Sequence, residues 1–153
     1  MEQTLNNFYI TGFGRSGTTF LSSVMNRSKQ YTVKHEARGF TDQKTDNLIN
    51  INNDFKQDYY GEVNSYLRFY IGKINASKVG VLVRDTKQIW TSMCNRRDYK
   101  TLEWKIKNLH WFYTEVIPNL SSNIRIIEFS KITTDKQYLY NTLLYFGISD
   151  DRS

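Results

Sequence analysis

The chain has 153 residues, 39% of them hydrophobic and 24% charged, enough for one packed core and too apolar for a disordered tail. Its single cysteine, Cys94, excludes an internal disulfide and a cysteine-clustered zinc site, and no apolar run nears the roughly 18 residues of a membrane span. Lys and Arg number 21 against 15 Asp and Glu, a net charge of +6 that suits an anionic partner. The basic residues are spread along the chain, which favours a pocket for a polyphosphate-like small molecule over a nucleic-acid arm and makes nucleic acid an unlikely partner. The opening MEQTLNNFYI lacks the basic stretch and apolar block of a secretory signal, so the expectation is a soluble, cytoplasmic protein with one domain over 1–153.

Four β-branched or aromatic runs, 8–13, 31–35, 79–84 and 124–129, read as strands. Helical stripes lie between them. Phe20, Leu21, Val24 and Met25 follow the first strand, and Ile89, Trp90, Met93 and Cys94 follow the third. Leu102, Ile106, Leu109, Tyr113 and Val116 mark a longer helix ending near Pro118. Leu139, Leu143 and Phe146 mark the last helix, with Gly147 as its stop. The Asn- and Asp-rich stretch 39–77 reads as a short helix, a loop and a further helix around 65–74. Strands alternating with helices give an α/β class: three layers, P-loop-like, with a central parallel sheet of four to five strands flanked by helices.

The strongest local signal is Gly12-Phe13-Gly14-Arg15-Ser16-Gly17-Thr18-Thr19, between a strand and a helix. Glycines there let successive amide N–H groups face one anion at the positive end of the helix. The spacing fits the nucleotide-binding pattern G-x-x-x-x-G-K-[ST] except that Thr18 stands in place of lysine, while Arg15 supplies a cation within the loop. Phosphoryl transfer from ATP recruits that lysine together with Mg²⁺. A sulfuryl group carries less charge and can be moved by amides, hydroxyls and one or two basic side chains.

The segment from Phe8 through Leu21 resembles the 5′-phosphosulfate loop of sulfotransferases that use 3′-phosphoadenosine 5′-phosphosulfate (PAPS). Val81-Leu82-Val83-Arg84-Asp85, with Ile89 and Ser92 after it, is similar to that family's 3′-phosphate motif, in which a serine follows the arginine by eight residues. Ile127-Glu128-Phe129-Ser130-Lys131-Ile132 ahead of a Phe-Gly pair resembles its late strand and helix. Thr86 replaces a common proline, and Phe20 an aromatic that is often tryptophan. The chain reaches Ser153 without a segment like the basic, glycine-containing loop of larger members, so the expectation is a minimal, bacterial- or phage-type member.

The resemblance implies a donor site of Gly14, Arg15, Ser16, Gly17, Thr18, Thr19 and Phe20 for the phosphosulfate, with Arg84 and Ser92 for the 3′-phosphate. It implies 3′-phosphoadenosine 5′-phosphate (PAP) as product, a hydroxyl acceptor (carbohydrate, lipid or small molecule) and no metal. Catalysis needs a base for the acceptor proton, and His35-Glu36 at the end of the second strand are the candidates, Glu36 favoured, beside Arg15. Two alternatives stay open. A buried strand ending in Asp85 also fits a P-loop-like nucleotide or small-molecule kinase, and a degenerate domain would bind PAP without turnover. Gly61 to Tyr66 reads either as an acceptor-side cluster or as a helix start capped by Asn64. Arg96 and Arg97 read as added field near the 3′ site or as a solvated helix end, and His110 and Trp111 as packing residues.

Overall fold

The first strand, β1 (Asn7–Gly12), is buried along its whole length. That is how a central strand of a parallel sheet reads, since helices cover both of its faces. After it come α1 (Thr18–Met25), β2 (Thr32–His35), α2 (Lys44–Asp54), β3 (Tyr60–Val63) and a 3₁₀ helix at Ser65–Tyr70. The second half runs β4 (Lys78–Val83), α3 (Thr86–Asn95), α4 (Leu102–Trp111), a π turn at Phe112–Val116, a 3₁₀ turn at Ile117–Asn119, β5 (Arg125–Glu128), α5 (Phe129–Ile132) and α6 (Lys136–Tyr145). This computed structural model describes residues 5–14, 16–35, 44–95 and 102–149, without the side chains of 44–47 and 102.

The strands form one sheet in the order β2-β3-β1-β4-β5, every pair parallel. Alternation along β1 builds the layers on either side. Phe8 and Ile10 meet Leu21 and Met25 of α1, together with Val33, Leu82 and Phe146. Tyr9 points the other way, into Ile51 of α2, Phe55 just after that helix and Leu67 of the 3₁₀ helix. On that same face Val81 packs with Phe13, Ile89 and Met93 of α3, and Leu109 and Phe112. No helix among the described residues is long and apolar enough to cross a membrane.

The predicted strands are present with their ends shifted by one residue, Phe129 opening α5 instead of closing β5. The fifth strand, β3, falls in the stretch read as helix and loop. Tyr60-Gly61-Glu62-Val63 is only four residues long and buried on both faces, so it shows no alternation to read. Helix character after it is confined to the 3₁₀ turns of Ser65–Tyr70, with the Asn64 Oδ1 accepting the Tyr66 N–H at 2.9 Å, so the capping reading of Asn64 holds. Two stripe positions are corrected. Phe20 is 37% exposed and Ile106 44%, because Phe20 stands in the outward first turn of α1 and the N-terminal half of α4 stands off the core. Gly147 ends α6 as expected: at φ +84° it lets the Ile148 N–H reach the Leu143 carbonyl at 2.9 Å.

Gly61 is required by packing. A Cβ there would lie 2.4 Å from Cζ of the buried Phe8 ring. Gly61→Ala should therefore cost about 1–3 kcal/mol by overpacking. Urea unfolding would show a lower midpoint at unchanged slope, and an unaltered midpoint would contradict the close fit.

Candidate functional site

The turn after β1 is built by its own side chains. Ser16 is fully buried; its N–H donates to the Phe13 carbonyl at 3.2 Å and its hydroxyl donates to the same oxygen. Gly12 has no room for a side chain, since a Cβ would sit 2.8 Å from the Leu82 carbonyl oxygen and from Ser16 Oγ. Gly17 then caps α1 in the left-handed region, φ +110° and ψ 14°, and gives the helix its first bond, from the Leu21 N–H at 3.0 Å. A glycine cap brings no side-chain acceptor to the first-turn amides of Thr18, Thr19 and Phe20, which point out of the positive end of the helix. Thr18 is buried at the place where the P-loop pattern puts lysine, whereas Thr19 and Phe20 are exposed. Arg15 lies outside the described residues.

The second predicted element stands beside this turn. β1 and β4 are hydrogen-bonded neighbours with Gly12 opposite Leu82, so the loop at Phe13 and the chain at Arg84 leave adjacent strands at the same edge. α1 and α3 then pack on opposite faces, which opens a crevice at the point where open α/β sheets bind ligands. The Arg84 N–H donates to the Tyr113 hydroxyl at 3.1 Å, and its Nε donates to Gln88 Oε1 at 3.2 Å. Its guanidinium lies 4.2 Å from the centre of the Phe129 ring. That ring also covers Gly17, where a Cβ would come within 2.5 Å of Phe129 Cδ2. One aromatic ring therefore touches the glycine loop after β1 and carries Arg84. Ser92 is half-buried on α3, one helical turn beyond Gln88 and on the same ridge.

Asp85 has a local duty: its Oδ1 accepts the N–H groups of Lys87 at 2.8 Å and Gln88 at 3.3 Å, capping α3. His35 is half-buried at the end of β2, opposite Val63, and shares with Val33 the face that packs on α1. It is two strands from β1, about 10 Å laterally. Glu36 lies outside the described residues, as do Arg96 and Arg97. Trp111 packs as expected, stacked on Phe69 at 5.8 Å and 15°, but His110 is exposed and does not. The last turn of α4 presents its neighbour Leu109 to the core instead.

Several neighbours of the site escape a reading by motif. Arg68, 7% exposed, has its guanidinium 4.9 Å from the Phe13 ring and 4.5 Å from Phe69. Its Nη1 donates to the Ser65 carbonyl at 2.7 Å and its Nε to Asn108 Oδ1 at 2.9 Å. Glu62, fully buried on β3, accepts the Tyr60 hydroxyl at 2.7 Å and the Asn64 amide at 3.4 Å. Phe129 had one available signal, its place in the late motif, and Tyr113 only its place in the apolar stripe of the long helix; Arg68 had none.

No protein-family model matches the chain, and no curated protein sequence does. Among solved structures it is similar to a thymidylate kinase from Candida albicans, with a TM-score of 0.56 and 12% identity, covering 95% of this chain and 95% of that one. At that identity the likeness speaks for the fold. With the five-stranded sheet, it shows the α/β, P-loop architecture expected from the sequence.

The loop's dependence on Gly17 is testable. Gly17→Ala meets both a left-handed backbone and the Phe129 ring, and should cost about 1–3 kcal/mol. Gly14→Ala, with no described atom within 4 Å of the added Cβ, should stay within about 0.5 kcal/mol of the parent. Denaturant unfolding of the two variants side by side reads the difference; equal losses would contradict it.

Proposed function

We propose that the protein is a nucleotide-dependent group transferase and, more narrowly, a sulfotransferase that moves a sulfuryl group from PAPS to an acceptor hydroxyl. The observation that carries this reading is the Phe129 ring shared by Gly17 and Arg84, which sets a guanidinium beside the phosphate loop in one crevice. A nucleotide with an anion at each end of its ribose suits such a pair. The amides of the first turn of α1, the hydroxyls of Thr18 and Thr19, and Arg15 would hold the 5′-phosphosulfate. Arg84 and Ser92 would hold the 3′-phosphate.

In the transfer, the acceptor oxygen bonds to sulfur while the bond from sulfur to the bridging oxygen breaks and PAP departs. Charge develops on that bridging oxygen, and the loop amides would stabilise it there. The acceptor proton passes to a base at the end of β2, Glu36 or His35, Glu36 favoured.

A second reading, a P-loop nucleotide or small-molecule kinase, is favoured by the fold neighbour, itself a thymidylate kinase. Against it stand the buried Thr18 in the lysine position and the engagement of Asp85 as the cap of α3. A PAP-binding domain without turnover would share the donor site and give no product.

Calorimetric titration with PAP, AMP and ADP, each with Mg²⁺ and with chelator, separates these readings. PAP should bind at least about tenfold tighter than AMP in either condition, and Arg84→Ala should remove most of that gap. Equal affinity for PAP and AMP, or tight binding of ADP only with Mg²⁺, would refute the donor assignment and select the kinase. Product analysis over an acceptor panel distinguishes transferase from binding domain.

The base is tested once an acceptor is found. Glu36→Gln should lower turnover by at least about a hundredfold with donor affinity nearly intact, and His35→Asn much less. The reverse order would make His35 the base.

A further inference from the structure

Tyr113 belongs to none of the motifs above, yet it is bonded to the most specific of them. Three consecutive aromatics leave α4 with three different neighbours: Trp111 stacks on Phe69, Phe112 is fully buried in the core beneath α3, and Tyr113 reaches the end of β4. An α-helix turns its side chains by roughly 100° per residue, which would carry one of three adjacent rings away from the core. The π turn at Phe112–Val116 widens the helix by one residue where this is needed. Such turns are frequent at functional sites.

The contact that the π turn delivers is the bond from the Arg84 N–H to the Tyr113 hydroxyl, 3.1 Å long. Arg84 is the first residue beyond β4, where the sheet no longer dictates the backbone. The contacts that direct its guanidinium include Tyr113 at the backbone, Gln88 at Nε and Phe129 under the plane. Of these, only Tyr113 fixes the main chain from which the side chain springs. Burial raises the phenol's pKa, more than the Arg84 amide and charge lower it, so the hydroxyl stays protonated around neutrality.

We infer that Tyr113 is a positioning residue for Arg84, holding the backbone at the end of β4 so that the guanidinium faces the 3′-phosphate of the donor. The inference rests on the donor reading above and adds to it the element that sets the arginine's aim. The α4 segment thereby serves both halves of the crevice. Asn108 accepts from the Arg68 that lies on Phe13 at the loop, and Tyr113, on the turn after it, accepts from Arg84.

Tyr113→Phe keeps the ring, packed edge-on at 5.6 Å from Phe112, and removes the hydroxyl alone. PAP and AMP are titrated against the wild type and this variant, with a urea midpoint for each as a check on folding. PAP affinity should fall about fivefold, the loss expected for one neutral hydrogen bond, while AMP, which engages only the loop, changes less than twofold. A merely structural tyrosine would lower both nucleotides together. Equal losses, or an unchanged PAP-to-AMP ratio where the wild type prefers PAP, would overturn the role of Tyr113 and leave the donor reading standing. A wild type with no preference would overturn the donor reading, and the role of Tyr113 with it.

Discussion

The approach of the Phe129 ring to the backbone of Gly17 is the contact on which the site depends. It needs a residue without a side chain at Gly17, in the left-handed region, and that residue in turn opens α1 with its amides uncovered by a capping side chain. The same ring is the platform for Arg84. If the ring were displaced, the loop would lose its wall and the arginine its support in one step. The geometry exists because β1 and β4 are adjacent strands whose following helices leave on opposite faces.

What the sequence made legible follows physical rules of short range. The loop was readable because glycine spacing, a buried strand before it and an apolar stripe after it all act within some fifteen residues. The end of β4 and the stop at Gly147 were readable for the same reason. β3 was not, since a four-residue strand buried on both faces has neither alternation nor length to declare it. The contacts that join the site were not legible either. Phe129 meets Gly17, and Tyr113 meets Arg84, across separations that no periodicity records. Asp85 shows the opposite lesson: a carboxylate after a buried strand invites a metal-holding role, and a local N-cap explains its position.

Fold and chemistry also separate here. A thymidylate kinase and this chain share a P-loop-like α/β frame at 12% identity, and the frame by itself leaves the chemistry open. The difference lies in individual positions: a buried threonine at the lysine position of the pattern, and an arginine at the end of the neighbouring strand whose guanidinium lies on the ring that covers Gly17.

The sheet order has a consequence for how the chain is made. β1 pairs with β3 and β4 and with no strand nearer in sequence; Asn7 waits for Tyr60, and Phe8 for Lys78. On a ribosome this strand, buried along its whole length in the fold, therefore emerges ahead of both its partners and stays without them until Tyr60 and Lys78 have been made. Such long-range pairing slows folding and exposes a sticky segment meanwhile. Nascent chains halted before β4 should thus be the most dependent on chaperones, and the most prone to aggregate, of any stage in this protein's synthesis.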